Sequence, residues 1–588
     1  MELLTAEQTT QTSSPAAMSS GAVLSRIRIW FGFATGVLAL LQFLATRNQV
    51  NVDGISYIDM ADNYLRNGSH ALVNGQWSPL YPWLIAALAS VVRPSPFWEF
   101  AVLHAVNFIA CLIAFVAFDW LMREVIENQR ETNATDYIPI PAPTFLAIGY
   151  TLFLWYSLKL ISIRESSPDM LMSIFVFLAA AMILHVKRTA GTWLQMCGLG
   201  VILGLGYFAK APMFPLAFVF LAMAFWTIRR KRHYILKCVL ALAVFLAVCA
   251  PLIIGLSRSE HRLTFGDSAR LNILWNIDHA GPLWYWQTLG ASGGKFEHPP
   301  ERIFQAPPVY GFDAPVPGTQ PAWYNPSYWS EGAVPKLLPR VQISLLIANL
   351  GIYKDMLFSE EVALLAALVF LVLLAGAAQS MRGIGTQWPI LIPAVVALIM
   401  YALILIEVRY VAVFLALLWI ALFAGVRFPR LADAERFGKA VAATVAIAVG
   451  IPVILAVYSD ARAGLRHPAF PAWQVAKELH ASGVGRGDKV ARIGGTFAAD
   501  WARLLRTRVV AEIPRYQAVH FWSASPALQS QVLDVIHNTG AKAIVAEQIP
   551  PTEVFTPSSG WKKVGNTDYY IFVFAAKTTE QQLPAKSP

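Results

Sequence analysis

Apolar residues are grouped along this chain in blocks of about twenty, the length a helix needs to cross a bilayer. Eleven blocks stand out, at 29–46, 97–121, 145–160, 170–185, 193–208, 213–226, 235–256, 362–378, 389–406, 411–426 and 441–457. Two weaker runs, 80–92 with Pro82 and 341–358 with Tyr353-Lys354-Asp355, raise the number of spans to thirteen without changing the side on which the chain ends. The first is expected as an interfacial or re-entrant helix, the second as a re-entrant or surface helix. The pattern therefore predicts a polytopic α-helical membrane protein with 11–13 transmembrane helices over 25–460, carrying outer loops at 48–97 and 257–340. In the first loop Tyr57, Ile58, Met60, Ala61, Tyr64 and Leu65 recur at helical spacing, which predicts a short amphipathic helix lying on the membrane.

Past residue 461 the period changes. QVAKELHAS and ADWARLLR read as helices, KVARIGG, RVVAEI and AKAIVAE as strands, and PALQSQVLDVIHNTG as a helix ending at Gly540. WKKVGN and YYIFVFA read as a closing strand pair. This predicts a small C-terminal extracytoplasmic α/β domain over 461–576, large enough to bury its own core. Residues 1–24 are rich in Ser, Thr, Gln and Ala and, with 577–588, read as disordered tails.

Composition agrees with a membrane chain. Of 588 residues 56% are hydrophobic and only 14% charged, against about 25% charged in soluble domains; mean hydropathy is +0.50. The net charge of +10 does not point to nucleic acid, because the basic residues sit in short loops, most densely at Arg229-Arg230-Lys231-Arg232. With Arg26 and Arg28 before the first span, they put the N-terminus in the cytoplasm and the C-terminal domain outside. Cys111, Cys197, Cys238 and Cys249 all lie in apolar runs without metal-ligand spacing and read as buried thiols.

The polar residues at span ends carry the candidate chemistry. The stretch Asn51–Trp83 holds Asp53, with Gly54 beside it to let the backbone turn, and Asp59 and Asp62. A carboxylate kept at a bilayer edge is costly unless used, although a solvated loop would hold the same acids. Further polar groups are Arg164, Glu165 and Asp169, then Lys210, then Glu407 and Arg409. Asp169 also suits a helix N-terminus behind Pro168, and Arg164–Glu165 a local ion pair. The predicted topology brings all of these to one face. Cations there can bind phosphate, and a carboxylate can take a proton from an attacking hydroxyl. The Trp- and Tyr-rich loop 257–340, including WNIDHAGPLWYWQ and PAWYNPSYWSEG, suits stacking on sugar faces or a place in the headgroup belt.

The order D-G-x-S-Y-x-D-M-A, S-P-L-Y-P-W, R-E-S-S-P-D-M-L-M, G-Y-F-A-K-A-P-M-F-P-L and E-V-R-Y resembles polyprenyl-phosphate-sugar-dependent membrane glycosyltransferases of the GT-C fold over residues 25–430. These include protein O-mannosyltransferases, the aminoarabinose transferase acting on lipid A, and the lipopolysaccharide-core transferases of rhizobia. The resemblance implies Asp53 as essential carboxylate, and Asp169 and Glu165 as further catalytic acids. It implies that Lys210 binds the donor phosphate and that Arg409 and Tyr410 bind substrate, with Arg164 close to Asp169; Tyr57, Asp59, Tyr81, Arg164 and Glu407 are expected as further substrate-binding residues. It further implies inverting transfer of a hexosyl or pentosyl group from a polyprenyl-phosphate donor to a glycan, lipid or protein acceptor at the periplasmic face of a cell inner membrane. Departures are Gly54 where many members have Glu, Ala209 where they have Thr, and no Pro after Arg409-Tyr410. These leave the donor sugar and any divalent metal ion open. A transporter or flippase for a lipid-linked sugar is the rival reading, against which stand the lack of an internal repeat and the placing of charge at span ends. A non-catalytic membrane scaffold would leave the gathered acids without a use.

Overall fold

The structure, a computed structural model, describes residues 15–131, 137–280, 289–312, 315–429, 434–466, 470–495, 499–547 and 560–575. The first nine helices are α1 Pro15–Thr46, α2 Val52–Asn67, α3 Leu80–Val92, α4 Glu99–Glu131, α5 Ala142–Trp155, α6 Asp169–Thr189, α7 Trp193–Ala209, α8 Met213–Ile228 and α9 Tyr234–Ser259. Further apolar helices follow at Pro339–Asp355, Val362–Ala375, Trp388–Ala402, Val408–Gly425 and Ala434–Arg466. Among the described residues eight helices are long and apolar enough to cross a membrane, and four shorter apolar ones, α3, α7, α8 and Trp388–Ala402, stand among them. The run 362–378 is broken at Gly376, whose φ of 99° falls where residues with a Cβ are strained. Each of the thirteen blocks read from hydropathy falls on a helix, and the protein is a multi-pass membrane protein.

Close packing follows from small residues. A Cβ on Gly200 would lie 2.5 Å from the Ala241 carbonyl, and one on Gly204 2.5 Å from Val248 Cγ1, so this pair of glycines lets α7 lie directly on α9. Two boundaries and the setting of one helix differ from expectation. Helix α1 starts at Pro15, so 15–24 belong to a helix; residues 1–14 and the expected tail at 577–588 lie outside the described residues. The last long helix runs on to Arg466. Helix α2 is not a surface helix: residues 54–61 are all buried. Its apolar face is covered by protein, since α3 and the long loop 257–340 close over it, and the same amphipathic pattern would serve for lipid.

The C-terminal domain holds a seven-stranded sheet in the order 561–563, 569–573, 541–547, 489–493, 508–513, 309–311, 301–304. Strand Lys489–Ile493 pairs in parallel with Arg508–Ile513 and Ala541–Glu547, and the outer strands are antiparallel. All five strands read from 461–576 are present. The two not foreseen, Val309–Gly311 and Glu301–Phe304, come from the long loop 257–340. That loop is therefore bonded into the domain's sheet, which ties it down above the membrane helices.

Candidate active site

Asn51 caps α2, its side-chain oxygen accepting the Gly54 N–H at 2.8 Å. Asp53 thereby stands in the first helical turn, where the helix dipole favours a carboxylate. Gly54 does not turn the backbone; it lies within the helix, and its use is close approach. A Cβ there would sit 2.4 Å from Ser166 Cβ and 2.7 Å from Val50 Cγ2. The segment 162–168 thus presses against α2 and delivers Asp169, the first residue of α6, into the same space.

A cavity of about 400 Å³ opens on these groups, lined at its polar end by Asp53, Tyr57, Asp169, Lys210, Arg409 and Tyr410. Arg409, in the first turn of Val408–Gly425, is the hub. Its Nη2 donates to Asp53 Oδ2 at 3.0 Å, its Nη1 is 3.6 Å from Glu165 Oε2, and its Nε is 3.9 Å from Asp169 Oδ2. Its Nη1 makes no hydrogen bond among the described residues. Lys210, at the end of α7, donates to Asp169 Oδ1 and lies 3.6 Å from the centre of the Tyr410 ring. Asp169 also accepts from Ser167 Oγ at 2.8 Å. Burial, reinforced by Asp53 and Asp169, raises the Tyr57 phenol well above its ordinary range, so it stays a hydrogen-bond donor. One wall is aromatic, with Trp77, Trp275, Trp323 and Phe265; another is apolar, with Pro212, Pro215, Met400, Tyr401, Ile404 and Leu405.

Six of the eleven residues chosen from the sequence therefore line one cavity. Glu165 stands behind Arg409 and accepts from Asn51 Nδ2 at 3.2 Å. Tyr81 is fully buried, and its hydroxyl donates to Asn107 Oδ1, while Asn107 Nδ2 donates to the Glu165 carbonyl. Asp59 faces away from the cavity, toward Thr319 and Arg503. Arg164 is exposed, 3.7 Å from Asp460, and Glu407 is exposed ahead of its helix. The residue that sequence reasoning missed is Trp323, whose Nε1 donates to Asp53 Oδ1 at 3.1 Å. The aromatic richness of PAWYNPSYWSEG marked the segment but not this tryptophan. Part of the other aromatic segment, 281–287, lies outside the described residues.

The cavity acids Asp53 and Asp169, and Glu165 behind them, do not suit a divalent ion, since all three already face Arg409 or Lys210. Among the described residues, the three-residue group with ligand atoms within 4.8 Å of one another is Glu297, His298 and Glu331, none of which lines this cavity.

No family model and no curated protein matches the chain. Solved structures do. The Archaeoglobus fulgidus oligosaccharyltransferase complex with Zn and sulfate is 13% identical with a TM-score of 0.43, over 87% of this chain and 67% of that one. ArnT from Cupriavidus metallidurans in the apo state is 13% identical with a TM-score of 0.37, over 95% and 98%. ArnT from the same organism bound to undecaprenyl phosphate is 14% identical with a TM-score of 0.37, over 92% and 97%.

Proposed function

We propose that the protein is a membrane glycosyltransferase that moves a sugar from a polyprenyl-phosphate donor to an acceptor hydroxyl. The observation that carries this is the sharing of one cavity by Asp53, Lys210 and Arg409, which come from three distant parts of the chain, next to an apolar wall suited to an isoprenoid tail. Asp53 takes the proton of the acceptor hydroxyl, whose oxygen attacks the anomeric carbon. The bond from that carbon to the phosphate oxygen breaks, and the phosphate leaves with the bonding electron pair. Lys210 and Arg409 hold its charge, a role worth several kcal/mol where donors are aimed at developing charge in a dry site. In-line attack inverts the anomeric configuration. Asp169 keeps Lys210 in place, Glu165 keeps Arg409, and Trp323 with Trp77 offers ring faces to the sugar.

The cavity faces the periplasmic side of an inner membrane in this reading, with the C-terminal domain above it. Helix α8 runs from beside Lys210 for 16 residues, about 24 Å, to the basic Arg229–Arg232 turn, which is then cytoplasmic.

The test is incubation of the purified protein in lipid nanodiscs with a panel of polyprenyl-phosphate sugars, scoring donor loss and free polyprenyl phosphate by mass spectrometry. The wild type should consume one donor class, and Asp53→Asn should stop transfer without affecting insertion. Lys210→Ala should chiefly raise the donor KM. Full activity in Asp53→Asn removes Asp53 from the role of base, and donor carried intact across the bilayer of sealed proteoliposomes by the same protein supports a flippase instead.

A further inference from the structure

The buried face of α2 that looks away from the cavity is held by a charge cluster that no step of the transfer uses. Arg503 belongs to the short helix Asp500–Leu505 of the C-terminal domain, and its side chain is 4% exposed. Its Nε and Nη2 donate to Glu99 Oε2 at 3.0 and 2.7 Å, and its Nη1 donates to Asp59 Oδ1 at 2.8 Å and to Asp62 Oδ2 at 3.4 Å. Arg506 Nε donates to the other Glu99 oxygen at 3.1 Å. One guanidinium thus joins α2, the start of α4 and the C-terminal domain.

From Asp59 two routes lead to the catalytic carboxylate. Along α2, Asp53 is six residues away, about 9 Å. Through the loop, Asp59 accepts both the N–H and the hydroxyl of Thr319, at 2.7 and 2.9 Å, and the Thr319 carbonyl accepts the Val509 N–H at 3.0 Å. Thr319 stands two residues before the short helix Pro321–Tyr324, which places Trp323 on Asp53 at 3.1 Å.

We propose that Arg503 is a positioning residue for glycosyl transfer: through it the C-terminal domain sets the placement of Asp53 and of its partner Trp323, and so governs turnover without touching either substrate. This rests on the transferase reading above. A buried ionic cluster adds little stability over a well-packed apolar one, but its fork geometry selects a single arrangement of the elements it joins. Arg503 fits that use, because its three acceptors lie on two separate helices and one of them also holds the aromatic loop.

The experiment compares full-length wild type, Arg503→Lys and Thr319→Val in nanodiscs. Arg503→Lys keeps the charge and loses the fork. Thr319→Val keeps the shape and the backbone bond, loses the hydroxyl on Asp59, and serves if Arg503→Lys does not insert. Expected are a fall in kcat of about 10- to 100-fold for Arg503→Lys, the loss of one to two charge-assisted hydrogen bonds, and a smaller fall for Thr319→Val. The donor KM should stay within about twofold, since no group contacting the donor has changed. Hydrogen exchange should rise at 52–61 and 319–324 while strands 489–493 and 541–547 keep their protection. Unchanged kcat, a KM that moves as in Lys210→Ala, or loss of protection throughout the sheet would overturn the proposal. A wild type that consumes no polyprenyl-phosphate sugar sinks the transferase reading instead, and unchanged exchange at 52–61 and 319–324 then overturns the positioning role separately.

Discussion

Replacing Arg409 by lysine separates charge from geometry at the centre of the cavity. The guanidinium reaches Asp53 at 3.0 Å, Glu165 at 3.6 Å and Asp169 at 3.9 Å, with three nitrogens pointing in three directions. A lysine ammonium is a single point on a flexible stem and can satisfy one carboxylate at hydrogen-bond distance. The Asp53 and Arg409 side chains are each 17% exposed, so most of the interaction is shielded from water. A hydrogen bond to a charged group contributes about 1.5–3 kcal/mol net, which corresponds to about 10- to 150-fold in rate if the bond matters only in the transition state. The Glu165 contact adds less, because that side chain is 38% exposed. Arg409→Lys should therefore keep donor binding and lose about 10- to 100-fold in kcat. Arg409→Met, which leaves Lys210 alone among the three acids, should lose donor binding as well. The assay is donor consumption in nanodiscs at saturating and limiting donor. Wild-type kcat in Arg409→Lys would show that the fork is not used, and wild-type KM in Arg409→Met would remove Arg409 from the phosphate site.

Trp323→Phe keeps a ring beside Trp275 and deletes the donor to Asp53, so kcat should fall about tenfold with little change in thermal stability, as measured by turnover and melting on the same preparation. Gly54→Ala drives a methyl to 2.4 Å from Ser166 Cβ, and overpacking of this kind costs about 1–3 kcal/mol. Its melting temperature and activity should both drop, and Ser166→Gly in the same chain should restore part of each, the contact with Val50 remaining. Glu512 is fully buried beside Arg492, and burial pushes its carboxyl up from 4.5 to about 7. The folded chain then holds a proton that the unfolded chain releases between about 4.5 and about 7, so this group makes the protein less stable as pH rises through that window. Melting of the wild type should fall with pH relative to Glu512→Gln, and parallel curves for the two would refute the assignment.

How far the site was legible can be followed residue by residue. Asp53, Asp169, Lys210 and Arg409 all sit at the ends of apolar blocks, and a strict alternation of spans puts such ends on one face. Their convergence was open to inference because the bilayer admits few topologies. Asp59 and Tyr81 do not line the cavity, and that was not legible for a shared reason. A one-dimensional pattern shows that a residue is near the site but not which way a buried helix turns its faces; Asp59 looks toward Arg503, more than 400 positions later in the chain. Trp323 was hidden among many aromatic residues of equal standing.

Sequence alone determined the run of apolar helices, the polar span ends and the strands of the last domain, because helix and strand periods and the cost of charge in lipid are local rules. Tertiary structure alone decided that Arg409 sits among three carboxylates, that two loop strands extend the C-terminal sheet, and that Arg503 ties that domain to α2. Those contacts depend on side-chain direction and on pairings between distant segments, neither of which periodicity encodes.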